Sequence, residues 1–255
     1  MENQGEDHAS QLLRAQTRVW NHIFKFIKSL SLKCAIEWGI ADIIHNYGQP
    51  MPLSQLIASL PIHPSKTSFI SHLMKILTHS GFFSEHHVTP NEPEVMYVLT
   101  DVSTLLLKDH PFSMRYLPQL IFDPVMINPW LQFSTWFRNE DPTPFHSENG
   151  MGVWDFAGRE PKFNHLFNKC MAMDSRLVST VLIEKYKWLL EGIESLVDVG
   201  GGTGTMFKVI VESFPQLKCI VFDLPHVVAG LEETENINML EGTCLKQFLM
   251  LIPSY

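Results

Sequence analysis

The run LVDVGGGTG, Leu196 to Gly204, decides the fold. Leu196-Val197-Asp198-Val199 reads as a compact strand, Gly200 to Gly204 as a loop, and Thr205 to Phe214 as a helix with Met206, Val209, Ile210 and Val211 as its apolar stripe. Pro215 ends that helix. A second strand follows, LKCIVF from Leu217 to Phe222, closed by Asp223-Leu224-Pro225. Strand, glycine loop, helix and strand make half of a Rossmann unit. The glycines let the loop turn sharply and bring backbone N–H groups against a ligand at a helix N-terminus. Asp223, about 20 residues beyond the loop at the tip of the second strand, is placed to accept from a ribose diol. Together these features specify a nucleoside-bearing cofactor.

The loop narrows the choice. A dinucleotide fingerprint requires G-x-G-x-x-G, and counted from Gly200 the third glycine position holds Thr205. The match is G-x-G-x-G, preceded by Asp198. A carboxylate there repels a pyrophosphate and suits a cationic or zwitterionic methionine moiety.

Upstream, residues 108–192 read as helices broken at Asp123-Pro124, Asn128-Pro129 and Asp141-Pro142-Thr143-Pro144. Aromatic residues are dense here. Phe163, Phe167, Met171 and Met173 fit either plain helical core or the wall of a cavity for a flat aromatic ligand, and spacing does not separate the two.

Nearer the start, apolar residues from Leu12 to Ile40 recur at three- and four-residue steps, predicting amphipathic helix divided at Gly39 and ended by Asn46-Tyr47-Gly48. The stripe is wide, and Trp20, Phe24 and Trp38 add bulk beyond one face. This predicts a helix buried on two sides, one of them by a second subunit. Leu53 to Leu60 is a short helix stopped by Pro61; Pro64-Ser65 caps another that carries Phe69, Ile70, Leu73, Met74 and Leu77 and ends at Gly81. Phe82-Phe83 and Tyr97-Val98-Leu99 then form a hairpin across the turn-rich His86 to Glu94. Helix, turn, helix, hairpin is a winged-helix outline. DNA recognition is opposed by charge, because the candidate recognition helix offers only Lys66 and Lys75 as lysines.

The whole chain of 255 residues has a formal net charge of −8, which disfavours nucleic acid and anionic membranes as partners. Its four cysteines, Cys34, Cys170, Cys219 and Cys244, lie far apart with no C-x-x-C pair, indicating neither a disulfide framework nor a zinc site. No stretch reaches roughly 18 apolar residues, and the start MENQGEDHAS lacks a signal peptide's cationic head, so a cytoplasmic location is expected.

The run LVDVGGGTG, the segment FPQLKCIVFDLPHVV (Phe214 to Val228), HIFKFIKSLSLKCAIEWGIADII, VWDF and FNHLFNKCMAMDS together resemble the plant caffeic acid, chalcone and isoflavone O-methyltransferases, the isoflavone enzymes most of all. The resemblance extends to about Gly242. It implies an α/β fold with a mostly helical, winged-helix-like dimerisation domain over 8–107, a helical substrate-pocket segment over 108–192, and a truncated Rossmann-like S-adenosylmethionine-binding domain over 193–242. It further implies an intertwined homodimer, or a heterodimer with related methyltransferases, and a small phenolic substrate with no metal. Gly200, Gly201, Gly202 and Asp223 fall on the family's cofactor contacts, with Ser175 near the cofactor. Phe163, Phe167, Met171 and Asp174 fall on positions lining the phenol pocket.

The resemblance also implies a general-base His in an H-N-W-T-D-like segment, which is absent here, so no catalytic residue is assigned and impaired turnover is expected. His165 and His226 are poor substitutes by sequence. The stretch 243–255 departs from the family, which continues G-D-M-F. With synonyms chosen freely, the codons for Thr243 to Tyr255 read from their third base spell M-F-E-A-I-P-D-A-D-S-V-L, predicting an out-of-frame tail.

Overall fold

The computed structural model describes residues 7–86 and 94–243. The chain divides into two compact units, Met1–His110 and Pro111–Tyr255.

In the first unit the long amphipathic pattern becomes three helices, α1 (His8–Ile23), α2 (Lys25–Glu37) and α3 (Ile40–Tyr47). The break at Gly39 follows from its left-handed φ of 66°. The break at Phe24 carries no glycine or proline; its ψ of 3° turns the chain while its N–H still donates to the Trp20 carbonyl. Met51–Pro52 is a short strand, β1, followed by α4 (Leu53–Ser59) and α5 (Thr67–His79). The side chain that caps the turn before α5 is His63, which accepts from the Ser65 N–H, rather than the Pro64-Ser65 pair itself.

The expected hairpin forms between β2 (Phe83–His86) and β3 (Met96–Leu99), antiparallel with Phe83 opposite Leu99. Its turn at 87–93 lies outside the described residues. A third strand that the sequence did not signal, β1, completes the order β1-β3-β2, and its Pro52 is tolerated because the strand sits at an edge. Glu94 accepts from both the N–H and the hydroxyl of Ser54, satisfying the start of α4 from 40 residues away. Ile40, Ile44, Leu56, Ile70, Met74, Leu77, Phe83 and Tyr97 form the core.

The expectation of an entry helix buried on two sides fails within a single chain, because α1 has no buried residue. Leu12, Leu13, Val19, Trp20 and Ile23 of α1 and Phe26 and Ile27 of α2 are between 39% and 63% exposed, and no described element of this unit covers them.

The second unit opens with short helices. Asp123 caps Pro124–Leu131 through the Val125 N–H, and this helix runs through the expected boundary at Asn128-Pro129. Pro129 has no N–H to give the Val125 carbonyl four residues back, and the helix ends two residues later at Leu131. Helices α6 (Val153–Arg159) and α7 (Pro161–Tyr186) follow, then β4 (Ser195–Val199), α8 (Thr205–Ser213), β5 (Lys218–Asp223) and β6 (Ile237–Glu241). The three strands are parallel in the order β4-β5-β6, with Asp198 beside Val221 and Asp223 beside Glu241. Among the described residues β4 pairs on one side only. The buried residues of α8 are Phe207 and Ile210, with Phe214 just past its end; of the stripe read in the sequence, Ile210 is buried and Met206 and Val211 pack partly buried beside it. They pack on Leu217, Cys219, Val221 and Ile237. Burial pushes the Cys219 thiol up to about 11, as it does that of Cys170 on α7, so both behave as small apolar residues.

Candidate active site

Within the second unit the glycine loop, the tip of β5 and one face of α7 enclose a cavity of about 600 Å³. The loop takes its shape from glycine: φ is 80° at Gly200, 57° at Gly202 and 70° at Gly204, values that L side chains rarely adopt. Gly200 N–H donates to the Phe222 carbonyl at 2.8 Å, fastening the loop to β5. At Gly201 φ is unexceptional and space is the constraint, since a Cβ there would lie 2.9 Å from Asp198 Cγ. Gly204 caps α8 without a side chain, so the first-turn N–H groups of that helix stay available, and Thr205 and Met206 stand at the cavity wall.

Asp223 closes the loop from the opposite side. Its Oδ2 accepts from the Gly202 N–H at 2.7 Å and its Oδ1 from the Leu224 N–H at 2.7 Å. A carboxylate has about four acceptor positions, so each oxygen keeps one for a ligand hydroxyl. Asp198 also reaches the wall. Burial first, and the Asp223 charge second, hold its carboxyl above the ordinary carboxylate range.

The residues singled out in the sequence separate into four places. Gly200, Gly201, Gly202, Asp223, Ser175, Phe167 and Met171 all line the main cavity. Phe163 does not. It is buried behind the wall with Leu120, Ala157 and Cys170, its ring edge-on to Phe156 at 5.3 Å. Asp174 lines a second, smaller cavity, which shares Met171 with the first. His165 is exposed on α7, whereas His226 stands at the main wall, with its Nε2 buried and its ring against Gly158.

Three contributors went unread. Trp154 stands edge-on to Phe167 at 5.3 Å. Asn164 donates through Nδ2 to the His226 carbonyl at 3.3 Å and accepts from Asn168 Nδ2 at 3.2 Å. The signal was present in the spacing, because Asn164, Asn168, Met171 and Ser175 fall at four-, three- and four-residue steps on one face of α7. Among the described residues no group of His, Cys, Asp and Glu could hold a metal ion, and no helix is long and apolar enough to cross a membrane.

Residues 130–249 match the O-methyltransferase domain and residues 20–109 the O-methyltransferase dimerisation domain. A cephaeline 6'-O-methyltransferase of Carapichea ipecacuanha is 43% identical over 242 residues, which cover 95% of this chain and 67% of that protein. The chain belongs to the plant O-methyltransferase family. It is also 51% identical over 234 residues to the trans-resveratrol di-O-methyltransferase of Vitis vinifera, covering 92% of this chain and 66% of that one. This O-methyltransferase chain thus spans about two thirds of the length of the curated relatives it matches. Human N-acetylserotonin methyltransferase, solved in complex with SAM, shares the fold with a TM-score of 0.71 at 19% identity, over 95% of this chain and 68% of its own. The domain match runs to residue 249, into the stretch read as out of frame; 244–255 lie outside the described residues.

Proposed function

We propose that this chain binds S-adenosylmethionine in the main cavity and serves methyl transfer to a hydroxyl of a small phenol. One observation carries the reading: the glycine loop and Asp223 share a single cavity with an aromatic and thioether wall formed by Trp154, Phe167 and Met171. In this reading Asp223 takes the ribose diol, Asp198 faces the methionine ammonium, and the flat wall takes the ring. The relatives' names cover a stilbene, phenylpropenes and flavonoids, which supports a phenol and leaves the isoflavone expectation without specific support. Calorimetric titration of the full chain with S-adenosylmethionine tests the proposal; absence of saturable binding would overturn it.

The raised Asp198 pKa gives this binding a pH signature. A cationic ligand favours the ionised carboxylate, so binding expels a proton from any Asp198 that still holds one. Affinity therefore rises with pH up to the raised value of the ligand-free protein and is flat above it. Titrations across that window should show this acid limb in the wild type and lose it in Asp198→Asn. An unchanged limb would remove Asp198 from the ammonium site.

A second reading, a non-catalytic partner that dimerises with related methyltransferases, is favoured by the uncovered apolar face of α1 and α2. Both readings use a dimer built on that face. Trp20→Glu places a charge where an interface aromatic would be desolvated, and such anchors are worth about 2 kcal/mol or more. The expected result is an oligomer dissociation constant raised at least about thirtyfold in light scattering, with helical content retained. A dimer of wild-type strength would place the interface elsewhere.

A further inference from the structure

The smaller cavity, about 200 Å³, lies beside the main one, and Met171 belongs to the walls of both. Its other apolar walls are Met114, Leu117, Cys170 and Met173. One group there is out of keeping. Ser113 is 1% exposed, and its Oγ is buried with no hydrogen-bond partner among the described residues. Buried hydroxyls are nearly always paired, so an unpaired one at a cavity wall calls for a partner from outside the chain. At the rim stands Asp174, an exposed carboxylate.

We propose that this cavity is a side pocket of the substrate site that takes a second hydroxyl on the phenolic ligand, with Ser113 Oγ as its hydrogen-bond partner. The inference rests on the phenol-binding reading and adds a specificity-determining residue to it. The unbranched thioether of Met171 can swing among several rotamers, so it can connect the two spaces without moving backbone. A neutral hydroxyl suits the pocket in both directions: Ser113 can donate to it or accept from it, and the Asp174 carboxylate can only accept. An anionic substituent is disfavoured, because the same carboxylate repels it and the apolar remainder offers it no cation. The Cys170 thiol, raised to about 11 by burial, adds no charge. Ligands with a neutral second hydroxyl should therefore be preferred over those with a carboxylate in that position.

The test is titration of the full chain, saturated with S-adenosylhomocysteine, with 4-hydroxystilbene, 4,4'-dihydroxystilbene and 4-hydroxy-4'-carboxystilbene. The dihydroxy probe should bind about five- to tenfold more tightly than the monohydroxy one, as one neutral hydrogen bond allows. Ser113→Ala should bring that ratio to about one. The carboxylate probe should bind more weakly than the monohydroxy probe, and Asp174→Asn should relieve the difference, an arm that does not depend on the Ser113 variant folding. Equal affinities in the wild type, or a preference that survives Ser113→Ala, would overturn the side pocket while phenol binding stands. Failure of all three probes to bind would overturn it together with the phenol-binding reading.

Discussion

Asp223→Ala should lower affinity for S-adenosylmethionine by about 100- to 1000-fold, the largest effect expected of any single cavity substitution. Two short hydrogen bonds end on this carboxylate, from Gly202 and from Leu224, and each is charge-assisted. Such bonds contribute about 1.5–3 kcal/mol each. Alanine removes both together with the acceptors assigned to the ribose, and leaves two backbone N–H groups without partners in a part-buried position. Asp223→Asn separates these roles. Its carbonyl oxygen can still accept one N–H, but its amide then faces the other donor with a donor, so a loss of at least about tenfold is expected rather than recovery. Calorimetry gives the affinities, and circular dichroism at the same temperature shows whether the fold persists. Binding by the alanine variant within about threefold of wild type would remove Asp223 from the cofactor site.

That site was legible because its residues are chosen for backbone reasons that sequence displays directly. Positive φ at Gly200, Gly202 and Gly204, and the close approach of Gly201 to Asp198, are demands met by one residue type. Asp223 could be placed by counting to the end of a strand. The substrate wall was harder to read because it depends on helix phase. Phe163, Phe167 and Met171 follow at four-residue steps that drift slowly around α7, so the first is carried into the core while the others meet the cavity. Asp174, three residues beyond Met171, turns toward the neighbouring pocket. Other features gave no local signal at all. The break at Phe24 has no glycine or proline, β1 is two residues long and contains a proline, and Glu94 reaches its partner Ser54 across 40 residues of sequence. His226 reads as an ordinary residue after a strand, yet it stands at the wall, where its carbonyl accepts from Asn164 of α7.

Phe207→Ala should destabilise the second unit by about 3–5 kcal/mol, the range for emptying a buried phenylalanine site. Phe207 is 1% exposed and, with Ile210 and Phe214, presents the face of α8 that packs on Leu217, Cys219, Val221 and Ile237. Its position makes it more than a packing residue. It sits three residues after Gly204, the cap of the helix whose first turn faces the cavity, and a Cβ at that glycine would come within 3.1 Å of Val221 and 3.2 Å of Met239. The loop is therefore seated directly on the sheet, and α8 cannot settle into a void left by Phe207 without carrying the loop with it. A domain of this size loses about 2–4 °C per kcal/mol, so the melting transition of the second unit should fall by about 10–15 °C. Affinity for S-adenosylmethionine should fall in the same variant below its melting point. Phe207→Leu conserves most of the volume and should cost less than about 1.5 kcal/mol, with affinity largely retained. If the alanine variant melted within 2–3 °C of wild type, as about 1 kcal/mol would allow, α8 would not be the element that holds the glycine loop in place.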